Sequence, residues 1–415
     1  MKTRWLTVCA SAALVLAGIS IPLSMASSAS ASSKAKAKAP IHILVTAPLS
    51  TVGLVGNAEM NVDAIKASVR VVNKRGGVLG HKIDVTYKDD TADPTTAITL
   101  LQSALSGPNP PTVYMNAGPS NLGAAVIPVA NSAHILSFNE GPTATTYIAK
   151  DFPLNFDVVP STANYAAAFC PYVKAHGGTS VGIIYGNDAY GDSLSALISS
   201  DCTADGVNVV GVQSFADTAI DATPQLLALQ ALKPSYLLFE GYGTVVGYVL
   251  QDINKIGWTV PILGDTAVAA SASVIGEPVS AGGLLGTPDV ANLKVLVFPS
   301  TVYSTNEPAN LKTMIANINV YTHGQDPSSL IFGYQYDSIQ LLAAAAKQAN
   351  SIKPAAIAKA LGHLKPGTYA TGVFPTYYDT LSTHAPQEPP AAFTFASPSL
   401  LVNGQYDAPG SGSGG

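Results

Sequence analysis

Short apolar runs alternate along the chain with longer segments in which apolar residues recur every three to four positions. A buried parallel strand typically has the first pattern, and an amphipathic helix has the second. We predict strands at 41–45, 82–87, 112–115, 134–138, 180–185, 207–213, 235–239 and 260–263. Between them we predict helices at about 60–75, 95–105, 121–133, 162–175, 191–204, 222–232 and 244–256.

The pattern changes after residue 263. Residues 264–303 are rich in glycine and predict an irregular region, and helices follow at 308–322, 334–349 and 354–362. We predict a last strand at about 392–396. Two successive series of alternating strands and helices predict an α/β protein with two doubly wound parallel-sheet lobes.

The N-terminus has the features of an export signal. Lys2 and Arg4 precede an apolar run at about 10–23, and Ala29-Ser30-Ala31 is a candidate cleavage site. We predict a signal peptide at 1–31, a linker at 32–40 and a disordered tail at 411–415. A membrane anchor is the alternative, but the run is shorter than the roughly 20 residues that a span requires. We therefore expect an exported protein, periplasmic or at the cell surface.

Charge and cysteine content narrow the class further. The formal net charge of −5 argues against nucleic acid or an anionic membrane as a partner. Cys170 and Cys202 remain after the predicted cleavage, and they lie in predicted helices that flank the strand at 180–185. An even number of cysteines in an exported protein predicts a disulfide. Two buried free thiols are the alternative.

The sequence shows no set of residues with catalytic spacing. The seven histidines form no metal-binding motif, and neither a phosphate-binding loop nor a nucleophile elbow is present. Asp89 and Asp90 would suit a catalytic pair, but adjacent acids after a strand more often form turns. The segment 240–247 resembles a dinucleotide fingerprint, except that Val246 stands where the third glycine belongs. We interpret it as a turn that lets a ligand approach the backbone, and we predict no enzyme, cofactor or metal.

Four segments together resemble a known family. They are Ile43-Leu44-Val45-Thr46-Ala47-Pro48-Leu49-Ser50, Asn73-Lys74-Arg75-Gly76-Gly77-Val78-Leu79-Gly80, Asp89-Asp90-Thr91-Ala92-Asp93-Pro94, and the stretch from Tyr185 to Gly191 with its Tyr-x-x-Asp-Ala-Tyr-Gly pattern. In this order they resemble the type I periplasmic binding proteins, and the branched-chain amino acid (Leu/Ile/Val) group is the most similar. The resemblance covers about residues 41–400.

The resemblance implies two lobes joined by three crossovers, which close on a ligand and deliver it to an ABC-type importer. It assigns a ligand carboxylate to the loop 116–120, with Ala117, Gly118 and Ser120 as candidates, and a helix N-terminus suits an anion. The loop 138–141, with Asn139 and Glu140, matches a second ligand-contacting loop. Tyr190 and Tyr242 match aromatic residues that cover the ligand.

One position departs from the family. The family places an acid after the strand at 260–263 to pair with a ligand ammonium, and here Thr266 takes that place with Asp265 beside it. Either Asp265 turns inward, or Glu140 or Glu240 supplies the charge, or the ligand has no ammonium. A buried ammonium without a partner would cost several kcal/mol.

We therefore predict a monomeric solute-binding protein for an aliphatic amino acid, with an ABC permease as its partner. Residues 40–158 and 302–385 form the first predicted lobe, and 159–301 and 386–410 form the second. The alternatives are a sensor of the same fold that binds a small amide or carboxylate for a separate membrane receptor, and an exported hydrolase.

Overall fold

A computed structural model describes residues 38–322, 330–378 and 382–407. The predicted signal peptide, most of the linker and the tail at 411–415 lie outside the described residues. Within the described ranges, no helix has both the length and the apolar character that crossing a bilayer requires.

The first sheet consists of five parallel strands. They are β1 (Ile41–Ala47), β2 (Ile83–Asp89), β3 (Val113–Asn116), β4 (Leu136–Asn139) and β5 (Asn155–Asp157), in the order β2-β1-β3-β4-β5. Three helices connect its strands: α1 (Val55–Lys74), α2 (Pro94–Leu105) and α3 (Ser120–Ser132). Successive side chains of a strand point to opposite faces. Leu44 and Tyr114 therefore pack with α2 and α3, whereas Ile43 and Met115 belong to the larger core on the other face.

The second sheet has six strands in the order β11-β10-β9-β8-β6-β7. They are β6 (Ser180–Gly186), β7 (Asn208–Phe215), β8 (Tyr236–Phe239), β9 (Ile262–Gly264), β10 (Leu293–Val297) and β11 (Thr394–Ala396), and only β11 is antiparallel. Its helices are α4 (Thr162–Ala166), α5 (Phe169–Ala175), α6 (Ala189–Ala204), α7 (Thr223–Ala231), α8 (Val245–Lys255), α9 (Thr266–Ala270) and α10 (Ala272–Ile275).

The chain crosses between the two halves three times. It passes from β5 to the second sheet, returns after β10, and crosses again before β11. Between the second and third crossings lie α11 (Ala309–Thr322), α12 (Tyr334–Ala349) and α13 (Pro354–Leu361), and both α11 and α12 pack on α1. A short hairpin, β12 (Leu401–Val402) and β13 (Gln405–Tyr406), follows β11. The predicted fold of two doubly wound lobes with three crossovers is confirmed, and the lobe bounds given above stay a proposal.

Three predictions about elements were wrong. The predicted helix at 162–175 is two helices, α4 and α5, because Pro171 has no N–H to bond the carbonyl of Ala167. The region 264–303 is not irregular throughout, since it contains α9, α10 and the buried strand β10. The strand predicted at 392–396 begins two residues later, at Thr394.

Candidate functional site

A cavity of about 140 Å³ lies between the two lobes. Its walls come from loops at the carboxyl ends of strands in both sheets, which is where open α/β sheets bind ligands. A dry cavity of about 150 Å³ holds one benzene molecule, so this volume suits a small metabolite. Most of its lining is apolar or aromatic, including Pro48, Leu54, Ala58, Ala117, Pro142, Val159, Tyr165, Ala270, Ile331, Phe332 and Tyr334.

The N-terminus of α3 faces this cavity. The loop from β3 supplies Ala117, Gly118 and Pro119 to the lining, and the helix begins at Ser120 without a side-chain cap. A helix that starts uncapped keeps free N–H groups and the positive end of its dipole, both of which stabilise an anion. The Ser120 hydroxyl oxygen accepts a hydrogen bond from the Tyr190 backbone N–H at 3.0 Å, so the hydroxyl proton remains available to a ligand.

Glu140 is the charged residue of the first lobe that lines the cavity. Its two carboxyl oxygens accept hydrogen bonds from the side-chain amides of Asn61 on α1, at 2.7 Å, and Gln335 on α12, at 3.2 Å. Burial raises the pKa of Glu140 to about 8, although both amides favour its charged form. The empty site therefore holds this carboxyl group mainly protonated at neutral pH.

Asn139 does not line the cavity. Its side-chain oxygen accepts from the Asn116 amide at 2.9 Å, and its own amide donates to Asp157 at 2.8 Å and to the Gly141 carbonyl at 2.9 Å. These bonds connect the carboxyl ends of β3, β4 and β5 and hold the loops that follow them. The structure thus places Asn139 behind the site, and a direct ligand contact by its side chain stays a prediction.

Tyr190, near the start of α6, brings an aromatic ring from the second lobe into the cavity. Asp188 caps this helix by accepting from the Gly191 N–H at 2.7 Å, which fixes the turn that presents the ring. The Tyr190 hydroxyl donates to Asp265 at 2.8 Å. Burial and the nearby Asp265 carboxyl group raise the pKa of Tyr190 well above its ordinary value, so the hydroxyl remains a donor.

Asp265 lies behind Tyr190, with no exposed surface, and does not line the cavity. One carboxyl oxygen accepts from Tyr190 and the other caps α9 by accepting from the Val268 N–H at 3.0 Å. Thr266 lines the cavity beside it, with its hydroxyl 3.4 Å from that of Tyr190. Asp265 therefore positions the tyrosine, and Thr266 presents a neutral hydroxyl where the family has an acid.

Tyr242 also lines the cavity, and its hydroxyl donates to Asp217 at 3.3 Å. Glu240, two residues earlier, does not line it, because one of its oxygens accepts from the Gly186 N–H at 2.8 Å behind the wall. A Cβ atom on Gly191 would clash with the Gly186 carbonyl oxygen and would lie 2.6 Å from that same Glu240 oxygen. The glycine in the Tyr-x-x-Asp-Ala-Tyr-Gly pattern therefore leaves room for the Glu240 carboxyl group.

The turn at 240–247 approaches the other lobe, in addition to placing Tyr242 at the cavity. Gly243 has a φ of +70°, and a Cβ atom there would lie 2.6 Å from the carbonyl oxygen of Gly53, in the loop after β1. The lobes also meet at the opposite rim, where the Ala189 N–H donates to the Asn121 side chain at 3.0 Å. The structure therefore shows the cleft closed on both sides of the cavity.

Several residues at the site were missed at the sequence level. Asn61 and Gln335 hold Glu140, Asp188 lines the cavity, and the hydroxyls of Tyr165 and Tyr334 lie 3.3 Å apart across the cleft. Asn61 and Gln335 each carry a signal in retrospect, since each is a polar residue on the buried face of an amphipathic helix. Buried amides of this kind are usually bonded to a specific partner.

Comparison with known proteins agrees with this architecture. Residues 40–396 match the sequence family described as "Periplasmic binding protein". The Leu/Ile/Val-binding protein of Escherichia coli K12 is 23% identical over 321 residues, which cover 75% of this chain and 79% of that protein.

Among the described His, Cys, Asp and Glu residues, no group of three or more is placed to hold a metal ion.

Solved structures show the same fold at low identity. A type 1 periplasmic binding protein from Bordetella pertussis superposes with a TM-score of 0.73 at 19% identity, over 86% of this chain and 96% of that one. A branched-chain amino acid transporter substrate binding protein from Streptococcus pneumoniae, in complex with isoleucine, gives 0.69 at 17% identity over 88% and 97%. A solute binding protein from Rhodopseudomonas palustris, in complex with benzoate, gives 0.66 at 16% identity over 78% and 86%.

Proposed function

The chain belongs to the periplasmic binding protein family, and from this premise we propose that it captures an aliphatic amino acid outside the cytoplasm and delivers it to an ABC-type importer. One observation carries this proposal. The uncapped N-terminus of α3, the Glu140 carboxyl group and the Tyr190 ring converge on a single cavity of about 140 Å³. They offer an anion site for the carboxylate of an amino acid, a cation site for its ammonium group and an apolar cover for its side chain.

Each part of the amino acid has a partner in this arrangement. The carboxylate meets the first N–H groups of α3 and the Ser120 hydroxyl, where the helix dipole favours a negative charge. The aliphatic side chain meets the apolar wall that includes Leu54, Val159 and Ile331. The name of the Escherichia coli relative and the isoleucine in the Streptococcus pneumoniae structure support this choice.

A thermal-shift screen of the protein with amino acids, amides and small carboxylates tests the proposal. A ligand at 100 times its dissociation constant adds about 2.7 kcal/mol to the stability of the folded state. We expect a concentration-dependent rise of the melting temperature with Leu, Ile or Val, and a loss of that rise in Tyr190→Ala. If benzoate or another carboxylate alone raises the melting temperature, the amino acid assignment fails and solute binding stands.

The screen also has an outcome that contradicts solute binding itself. A protein that no small molecule stabilises, across all three chemical classes and up to millimolar concentration, would not act as a binding protein for such solutes. Delivery to an importer needs its own test, which is ligand uptake by cells that contain the cognate permease with and without this protein. Uptake that is the same in both cells would contradict delivery.

A further inference from the structure

We infer that Glu140 of the first lobe, and not an acid of the second lobe, pairs with the amine of the ligand, and that the solute class is therefore amine-bearing. This inference deepens the proposed function and rests on it. It assigns a specificity-determining charge to a position where the chain departs from its family, because Thr266 offers no charge in the second lobe.

The charges around the cavity point to a cationic group on the ligand. Among the described residues that line it, Glu140 and Asp188 are acidic, and none is Lys, Arg or His. An anionic ligand end therefore meets only backbone N–H groups and hydroxyls, whereas a cationic end has carboxyl groups to pair with. An ammonium group on the ligand would favour the charged form of Glu140, whereas a benzoate-like ligand has no cation that does so.

Glu140 is built to present a carboxylate to the cavity. Its oxygens are held by Asn61 and Gln335, and Gln335 is itself fixed because its amide also donates to the Asn116 carbonyl at 2.9 Å. Asn61 and Gln335 are 1% and 0% exposed, so these donors cannot turn to water. Two fixed neutral donors orient the carboxylate and leave its remaining lone pairs for a ligand.

Glu140 lies on the same lobe as the proposed anion site and lines the same cavity. A Cβ atom on Gly141 would lie 2.7 Å from the Ser120 backbone nitrogen, so the residue after Glu140 touches the first turn of α3. The backbone next to Glu140 therefore packs against the anion site at the N-terminus of α3, and both Ser120 and Glu140 line the cavity. An α-carboxylate and an α-ammonium, which are two bonds apart through the α-carbon, fit such neighbouring sites.

Two buried acids of the second lobe, Asp265 and Glu240, do not line the cavity. Both oxygens of Asp265 are hydrogen-bonded, to Tyr190 and to the Val268 N–H, and Glu240 lies outside the cavity wall. Asp188 does line the cavity; one of its oxygens caps α6, and the other has no hydrogen-bond partner among the described residues. Asp188 is therefore the one second-lobe rival of Glu140, and the experiment includes it.

Protonation gives this pairing a signature that a purely structural role would lack. Burial raises the pKa of Glu140 to about 8, and the groups that face it are the Tyr334 hydroxyl, the amides of Asn61 and Gln335, and Asp188 on the opposite wall. A bound ammonium favours the carboxylate and lowers that pKa. Binding of the amine near pH 7 should then release up to one proton, and affinity should rise with pH below about 8, by up to about tenfold per pH unit.

The test uses three probes of one shape: L-leucine, 4-methylpentanoate, which lacks the amine, and 3-methylbutylamine, which lacks the carboxylate. Calorimetric titration compares wild type, Glu140→Gln, Asp188→Asn and Glu59→Gln. Glu59 is the matched control because it lies on the exposed side of α1, on the same helix as Asn61, and its substitution removes the same charge. Each titration with L-leucine at pH 7 is repeated in two buffers of different ionisation enthalpy, which counts the protons released.

We expect L-leucine to bind wild type and Glu59→Gln alike, and 4-methylpentanoate to bind wild type at least about 30-fold more weakly. Glu140→Gln should weaken L-leucine about 30-fold or more, leave 4-methylpentanoate within about threefold, and abolish proton release. The retained binding of 4-methylpentanoate also shows that the variant is folded.

Three results would overturn the inference. They are equal affinity of wild type for L-leucine and 4-methylpentanoate, undiminished binding of L-leucine by Glu140→Gln, and amine selectivity that Asp188→Asn loses while Glu140→Gln keeps it. In each case the protein still binds a solute, so the proposed function survives. A wild type that binds none of the probes, and nothing in the wider screen, instead contradicts the proposed function.

Discussion

The two lobes face the same cavity with different chemistry. The first lobe offers polar groups on rigid supports: the uncapped start of α3, and Glu140 held by Asn61 and Gln335. The second lobe offers the rings of Tyr190 and Tyr242, and places its acids mostly behind them. We conclude that the first lobe recognises the charges of the ligand, while the second lobe covers it and excludes water, which strengthens each polar contact.

The buried carboxyl groups of the two lobes also differ in their surroundings. In the first lobe, Asp157 and Asp337 each accept three hydrogen bonds from surrounding donors. In the second lobe, burial raises the pKa of Glu240 well above its ordinary value, and the neighbouring carboxyl groups of Asp188 and Asp265 raise it further. The second lobe thus places buried carboxyl groups close to one another.

The largest effect should come from the disulfide of the second lobe. Cys170 on α5 and Cys202 on α6 are bonded in this structure, 32 residues apart in sequence. Closing a loop of that length lowers the entropy of the unfolded chain, which raises its free energy by about 3–4 kcal/mol. We expect the double variant Cys170→Ser/Cys202→Ser to lose about 2–5 kcal/mol in urea unfolding, with the second lobe unfolding first. Equal stability of wild type with and without a reductant would contradict this.

The next largest effect should follow from removing the cover. Tyr190→Ala deletes a ring at the centre of the cleft, and truncating such a buried aromatic costs about 2–4 kcal/mol of binding. We expect L-leucine to bind about 100-fold more weakly by calorimetry, and the free protein to lose stability too, because the hydroxyl that bonds Asp265 goes with the ring. Tyr190→Phe keeps the ring but leaves Asp265 without its hydroxyl partner, so it should mainly lower stability, by about 1–3 kcal/mol. If the two variants lose equal affinity, the ring is not the cover.

Stability should respond to pH through Glu140. Burial raises the pKa of Glu140 to about 8 in the folded state, whereas the unfolded chain releases this proton near the ordinary glutamate pKa of 4.5. The folded state then binds more protons in this window, so stability falls as pH rises, by about 1.4 kcal/mol per pH unit from this group. Other buried acids add their own slopes, so the measurement is a difference between proteins. Unfolding between pH 5 and 8 should show a smaller slope for Glu140→Gln than for Glu59→Gln, and parallel curves would contradict the assignment.

The smallest effect should come from the contact between the lobes at Gly243. Gly243→Ala places a Cβ atom 2.6 Å from the Gly53 carbonyl oxygen of the other lobe. Gly257→Ala is the control, because Gly257 has a similar φ of +67° in the same lobe and a Cβ atom there meets nothing within 4 Å. Both variants should lose about 1 kcal/mol of stability from backbone strain. Only Gly243→Ala should also weaken L-leucine, by about tenfold, and equal affinities would show that this rim does not meet on closure.

The sequence predicted the sheets well and the side-chain partners poorly. Apolar runs such as Ile183-Ile184 and the helical period of Met60, Val62 and Ile65 mark buried strands and helix faces directly. The strand β10 escaped notice because its short run, Leu293–Val297, follows a glycine-rich stretch that favours turns. Local pattern therefore predicted four of the five strands of the first sheet, and missed β5 in that sheet and β10 in the second.

At the candidate site, too, the positions of residues could be predicted from the sequence but their hydrogen-bond partners could not. Ser120, Glu140, Tyr190 and Thr266 were found because each follows the carboxyl end of a strand, and position along the chain determines that. Gln335 lies 195 residues from Glu140, so no local pattern predicts their hydrogen bond. The direction of Asp265, turned toward Tyr190 and away from the cavity, likewise depends on side-chain packing in three dimensions.

The central claim is that both lobes contact one bound solute at the same time. Small-angle X-ray scattering of the wild-type protein, titrated with L-leucine to saturation, tests it most directly. We expect the radius of gyration to fall in step with the calorimetric binding isotherm, and the saturated profile to match the closed structure described above. Saturation with no change in the scattering profile would mean that binding and closure are separate, and would contradict the claim.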